Sequence, residues 1–121
     1  MKGQLDDSKP IYLQIKEIIE DSIINDQIKA GERVPSTNEL AKFYNINPAT
    51  ARQGMNELVQ ENILVKKRGV GMFVTEHAKQ ILVENRKKLF YETYIVPLIE
   101  EAKKLNISKK QLIEMLEKEE A

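Results

Sequence analysis

The sequence of 121 residues predicts a mainly α-helical fold with one small β-hairpin. Three observations lead to this fold class. Apolar residues recur every three or four positions along much of the chain, which is the spacing of amphipathic helices. Serine or asparagine precedes several of these segments, in the position of a helix N-cap. Two short apolar runs, residues 63–67 and 72–75, flank a turn with two glycines and are typical of hairpin strands.

The composition excludes several classes of protein. Cysteine is absent, which removes disulfides, thiol nucleophiles and thiolate metal sites, and the single histidine, His77, has no evident metal partner. No stretch approaches the ~18 consecutive apolar residues of a membrane span, and the first ten residues lack the apolar run of a secretory signal. We therefore expect a cytoplasmic, non-enzymatic protein without a cofactor. Its 19 basic and 19 acidic residues cancel, so global charge indicates no partner.

The first helix is predicted to follow Pro10 and to end near Asn25. Ile11, Ile15 and Ile18 lie on one face of it. The following segment, "KAGERVPS", contains glycine and proline and is predicted to be a loop.

Two helix starts follow closely. Ser36 and Glu39 have the spacing of a capping box, in which each side chain accepts a hydrogen bond from the other residue's backbone. Asn45 is predicted to end this helix, and Asn47-Pro48 to begin the next, because asparagine is a favoured N-cap and proline suits the first helical position. The short connection predicts a helix-turn-helix, and Gly54 in the new helix predicts close packing.

The hairpin after this helix completes a winged helix-turn-helix over residues 1–75. Residues 76–121 are predicted to form a long helix, which Pro97 should kink, and a short helix that starts at a second capping box, Ser108 to Gln111. A tail of this size cannot easily enclose a ligand pocket of about 300 Å³ or more by itself.

The exposed face of the third helix has the chemistry of DNA recognition. It is short, polar or basic, without acidic residues, and helix 48–61 would enter the major groove, where arginine pairs with guanine and asparagine or glutamine with adenine. The hairpin tip, residues 66–72, would contact backbone phosphates or the minor groove. The predicted DNA-contacting residues are Ser36, Thr37, Asn38, Asn47, Ala49, Thr50, Arg52, Gln53, Asn56, Lys67, Arg68 and Gly69.

These motifs together resemble the GntR family of bacterial transcriptional regulators. The similarity covers about residues 10–75 and includes "PIYLQI", "VPS", "LA", "TAR" and the wing "GVGMFV". It implies that the family's recognition-helix arginine is Arg52 and that its wing-tip contacts fall on Arg68 and Gly69. Asn38 stands where the family usually has arginine, which predicts fewer arginine-phosphate bonds. "Asn-Pro" at residues 47–48 is similar to the YtrA-type branch, whose members carry a short helical C-terminus.

The long helix has two apolar stripes, and we expect at least one of them to pack against a second copy. A homodimer would present two recognition helices to an inverted-repeat operator in double-stranded DNA, most simply as a repressor. Three alternatives stay open: a monomer whose stripes fold back on the winged domain, a winged helix used for protein contacts, and a small-molecule effector bound at the helical interface. The residues predicted for the dimer interface are Leu82, Leu89, Phe90, Tyr94, Val96 and Leu98.

Overall fold

The computed structural model describes residues 4–120, and it forms two compact units, the first ending at Glu84 and the second beginning at Asn85. The fold is mainly helical with one two-stranded sheet in this part of the chain. In chain order its elements are α1 (Ile11–Ile24), α2 (Thr37–Tyr44), α3 (Pro48–Gln60), β1 (Leu64–Lys67), β2 (Gly71–Val74), α4 (Ala78–Phe90), a π-helical turn (Tyr91–Ile95), α5 (Val96–Lys104) and α6 (Lys109–Glu119).

The core of the first unit lies where α1 packs against α3. Ile15 and Ile19 of α1 are fully buried, as are Met55 and Leu58 of α3. Gly54 permits the close approach of the two helices, because a Cβ atom at this residue would lie only 2.5 Å from the carbonyl oxygen of Tyr12. The close packing predicted for Gly54 is confirmed.

The predicted caps set the geometry of the helix-turn-helix. The Ser36 hydroxyl accepts a hydrogen bond from the Glu39 backbone N–H, and the Glu39 carboxylate accepts one from the Ser36 N–H, both at 3.0 Å. Asn45 ends α2 in the left-handed conformation, with φ of 54°. The Asn47 side chain then caps α3 by accepting from the Ala49 N–H at 2.8 Å. Residues 45–47 therefore form the short turn that the sequence predicts.

The hairpin forms the wing. Its strands are antiparallel, with Leu64 opposite Val74 and Lys67 opposite Gly71. The Val70 N–H donates to the Lys67 carbonyl at 2.9 Å, and Gly69, with φ of 75°, has the positive φ that a type II turn requires at this position. Residues 31–34 run along the outer edge of β2 and exchange backbone hydrogen bonds with it. This edge pairing ties the loop before α2 to the wing.

One residue predicted for the dimer interface belongs to the core of the first unit instead. Leu82 of α4 packs with the buried side chains of the winged domain and is only 3% exposed, and Ala78, one turn earlier, is 1% exposed. The prediction for Leu82 is wrong, because a side chain already covered within its own chain offers almost no area to a second copy.

The second unit contains the π-helical turn, α5 and α6. The Val96 N–H donates to the carbonyl of Tyr91, five residues earlier, and Pro97 follows within the first turn of α5. Proline lacks an N–H and clashes with the carbonyl four residues before it, which is why we expected Pro97 to kink the helix. The wider π-helical turn before Pro97 relieves this clash. Ser108 and Gln111 form the predicted capping box of α6. None of the helices within residues 4–120 is long and apolar enough to cross a membrane.

Candidate nucleic-acid interface

An open groove of about 430 Å³ runs between the N-terminus of α2, the exposed side of α3 and the wing. It brings together residues from three separate parts of the chain. Three cations and no acidic residue line it, so the groove suits an anion although the whole chain is formally neutral. The lining residues are Ser36, Thr37, Asn38, Arg52, Asn56, Lys66, Lys67, Gly69, Val70, Gly71 and Met72.

The structure separates the predicted DNA-contacting residues into two groups. Seven of them are among the groove-lining residues named above. On α3, Ala49 and Gln53 are exposed outside it, and Thr50 is half-buried. Asn47 uses its side chain as the cap of α3, and Arg68 is exposed at the wing tip. The exposed face of α3 therefore extends beyond the groove: Arg52 and Asn56 line the groove, and Ala49 and Gln53 lie outside it.

The N-terminus of α2 forms one wall of the groove. Its first backbone N–H groups have no intrahelical partners and carry the positive end of the helix dipole, which favours anions. The Glu39 carboxylate lies nearby, and the hydrogen bonds from Ser36, followed by the charge of Arg33, lower its pKa below the ordinary value of 4.5. Glu39 is thus ionised at neutral pH and engaged in the cap.

The wing forms the opposite wall and carries exposed cations. The Lys67 ammonium lies 4.6 Å from the centre of the Phe73 ring, a cation–π contact that orients this side chain on the hairpin. Lys66, next to it, also lines the groove. Lys66 was not among the predicted DNA-contacting residues. It belongs to the basic run of residues 66–68, and this run is the sequence feature that could have identified it.

Arg33 is a second residue that sequence reasoning missed. Its guanidinium lies 3.7 Å from the Glu39 carboxylate, and its side chain covers Gly71, where a Cβ would come within 2.7 Å of Arg33 Nε. Arg33 therefore links the wing to the first turn of α2. No local pattern reveals this contact, because its partners are distant in the sequence.

The far end of α3 is held by a lysine of α1. Lys16 donates to Glu61 and lies 3.5 Å from Glu57, and its side chain is only 17% exposed. Burial by itself would lower the pKa of Lys16, but the hydrogen bond and charge of Glu61, with the charges of Glu20 and Glu57, raise it above its ordinary value. These ion pairs fix the orientation of α3 and keep two carboxylates at the end remote from the groove.

The described residues offer no evident metal chemistry. No group of three or more histidine, aspartate or glutamate side chains within residues 4–120 is arranged to hold a metal ion.

Comparison with known proteins identifies relatives of similar length. The chain is 32% identical to the uncharacterized HTH-type transcriptional regulator YhcF of Bacillus subtilis over 114 residues, which are 94% of this chain and 93% of YhcF. It is 35% identical to the HTH-type transcriptional repressor YtrA of the same organism over 85 residues, 70% of this chain and 65% of YtrA.

Solved structures share the fold. A GntR family transcriptional regulator from Listeria monocytogenes superposes with a TM-score of 0.77 at 34% identity, covering 96% of this chain and all of that one. The DNA-binding domain of AraR in complex with operator ORE1 superposes with a TM-score of 0.55 at 30% identity, over 62% of this chain and 94% of that domain.

The family of bacterial regulatory proteins named gntR matches residues 11–74, more than half of the chain. That range begins with α1 and ends with β2, so it contains all three walls of the groove. The chain belongs to the GntR family of bacterial transcriptional regulators, which bind DNA through a winged helix-turn-helix.

Proposed function

We propose that this protein is a repressor that binds an inverted-repeat operator in double-stranded DNA as a homodimer. The observation that carries the proposal is the groove, which joins the N-terminus of α2, Arg52 of α3 and the lysines of the wing in one acid-free surface. The N-terminus of α2 and the lysines of the wing suit a phosphate backbone, and the exposed face of α3, part of which lines the groove, suits the edges of bases.

In this proposal α3 lies in the major groove. Arg52 and Asn56 are exposed on the side of α3 that borders the groove, while Met55 and Leu58 anchor the opposite side in the core. Arginine reads guanine and asparagine reads adenine through paired hydrogen bonds. Ala49 and Thr50 carry methyl groups that can contact thymine, and Gln53 adds a second reader of adenine.

The phosphate backbone would lie against the two walls of the groove that the N-terminus of α2 and the wing form. Backbone N–H groups and hydroxyls at a helix N-terminus bind phosphate well, and Ser36, Thr37 and Asn38 occupy that place on α2. Lys66 and Lys67 face them from the wing. Arg68 and Gly69 at the wing tip would reach a neighbouring phosphate or the minor groove. These contacts position the protein and make its affinity depend on salt.

We assign dimerisation to residues 85–121. Leu89, Phe90, Tyr94 and Leu98 are between 42% and 64% exposed, a large apolar surface for a segment of this size. Contiguous exposed apolar patches mark interaction sites. A twofold dimer would place two winged domains on two half-sites of a palindromic operator.

Fluorescence anisotropy tests the proposal directly. Labelled DNA from upstream of the protein's own gene is compared with a scrambled duplex at several salt concentrations. We expect selective binding that weakens with salt, and Arg52→Ala should cost about 1–3 kcal/mol of the specific binding free energy. Lys29→Ala removes one positive charge from an exposed residue of the first unit that lies outside the groove, and it serves as the control. Equal affinity for both duplexes, or equal losses in both variants, would contradict the proposal.

A further inference from the structure

Arg33 lies at the edge of the wing, on the extended segment that precedes α2. Residues 31–34 pair with the outer edge of β2, and Arg33 stands opposite Phe73 in an antiparallel bridge. The residues on either side of these two make the backbone hydrogen bonds of the bridge, at 2.9 and 3.0 Å. Arg33 and Phe73 therefore form a non-hydrogen-bonded pair, the kind in which facing side chains come closest together.

Two cations share this face of the wing. Lys67 stands opposite Gly71, and positions 71 and 73 belong to the same face of β2 because side chains alternate along a strand. The Lys67 ammonium lies 4.6 Å from the centre of the Phe73 ring, and the Arg33 side chain lies against Gly71. The two cations therefore reach over β2 from the segments on its two sides.

Gly71 provides the space that the Arg33 side chain occupies. A Cβ atom at residue 71 would lie 2.7 Å from Arg33 Nε and 3.4 Å from Arg33 Cδ, so a larger residue at this position would displace the arginine. Gly71 also lines the groove to which we assign DNA binding, as does Lys67. The Arg33 side chain is thus held against the wing wall of this groove.

The ion pair with Glu39 does not account for this placement. Arg33 Nη2 lies 3.7 Å from Glu39 Oε1, and the two side chains are 52% and 62% exposed. Ion pairs this exposed contribute little to stability, and Glu39 already accepts a hydrogen bond from the Ser36 N–H at 3.0 Å. A guanidinium carries five N–H donors in a planar fork that matches the oxygens of a phosphate. The long contact to one carboxylate oxygen therefore leaves Arg33 able to bind an anion.

We infer that Arg33 binds a phosphate of the DNA backbone, as a cation additional to the three that line the groove. This inference rests on the proposed function and adds one residue to its phosphate contacts. Arg33 also places positive charge beside Glu39, the acidic residue in the first turn of α2, and so reduces the repulsion between this carboxylate and the DNA. Because its side chain is already held against Gly71, Arg33 loses less conformational freedom on binding.

The salt dependence of DNA binding tests this contact. Arg33→Met keeps an apolar stem over Gly71 but removes the charge. Its affinity for the upstream DNA and for the scrambled duplex should fall roughly 10-fold alike, and the slope of log affinity against log salt should fall by about 0.9, as anisotropy measures. Arg33→Lys keeps the charge and should keep the wild-type slope. Lys29→Ala removes a charge from the same connecting segment outside the groove and should also keep it.

Glu39→Gln distinguishes a phosphate contact from a purely structural link between the wing and α2. Glutamine preserves the capping box with Ser36 but removes the ion pair with Arg33. If Arg33 binds phosphate, Glu39→Gln should bind both duplexes at least as tightly as the wild type, because a carboxylate that repels DNA is gone. If Arg33 acts only by holding the wing to Glu39, Glu39→Gln should weaken binding as Arg33→Met does.

The outcomes separate this inference from the proposed function. A wild-type protein that binds neither duplex would overturn both. Selective binding by the wild type, together with an unchanged salt slope in Arg33→Met or weakened binding in Glu39→Gln, would overturn the phosphate contact alone and leave the proposed function in place.

Discussion

Gly54→Ala tests whether the contact between α1 and α3 sets the stability of the winged domain. The added methyl group would start 2.5 Å from the carbonyl oxygen of Tyr12 and 3.4 Å from two atoms of the Ile15 side chain. The near atom belongs to the backbone of α1, so no side-chain rotation relieves the overlap. The two helices have to move apart until the distance reaches about 3.4 Å, where ordinary van der Waals contact begins.

Two opposing effects determine the size of the change. Alanine improves helix propensity over glycine by about 1 kcal/mol. Overpacking a well-packed core costs about 1–3 kcal/mol. Because the displaced atom is backbone and Ile15 beside it is fully buried, the cost falls towards the upper end of that range. The free energy of unfolding should therefore fall by about 1–2 kcal/mol, although alanine is the better helix former.

Urea denaturation followed by circular dichroism measures this difference in the free energy of unfolding. In a thermal melt, a loss of 1 kcal/mol would appear as a fall in Tm of roughly 4–8 °C for a domain of this size. Gln60→Ala is the matched control, because Gln60 is exposed on the same helix and its replacement changes helix propensity without a clash. A Gly54→Ala protein at least as stable as the wild type would refute the reasoning, since propensity would then outweigh packing.

Three further predictions concern the wing and the N-terminus of α2. Lys67→Ala should weaken binding to specific and scrambled DNA alike and reduce the slope of log affinity against log salt by about 0.9, measured by anisotropy; an unchanged slope would show that Lys67 contacts no phosphate. Ser36→Ala removes the cap of α2 and should lower the free energy of unfolding by about 1 kcal/mol in urea, whereas Thr37→Ala, which leaves the cap intact, should change it less. The pKa of Glu39 is lowered in the folded protein, so its contribution to stability is present above its ordinary pKa and is lost as pH falls through the lower folded value. Glu39→Gln should lack this part of the acid destabilisation in melts between pH 6 and 3, and identical pH profiles would contradict the assignment.

The local features of the fold were predictable from the sequence. Both capping boxes, the Asn47 cap followed by Pro48, and the glycine turn of the wing occur where the sequence predicts them. Each of these features depends on residues only a few positions apart in the sequence. The same short-range hydrogen bonds and steric limits therefore explain both the sequence pattern and the local structure. The exposed, acid-free face of α3 was predictable for a related reason, because helical periodicity decides which side chains can share a face.

Other features were decided by contacts between distant parts of the chain. Leu82 has the spacing of an interface residue, yet α4 places it in the core of the winged domain, and periodicity cannot distinguish one apolar partner from another. Arg33 reaches Gly71 and Glu39 only because residues 31–34 pair with the edge of β2. The sequence by itself determined the helices, their caps, the wing and the family. Only the tertiary structure decided that Leu82 is already buried within its own chain and which cations meet across one groove, because both depend on how elements far apart in the chain pack together.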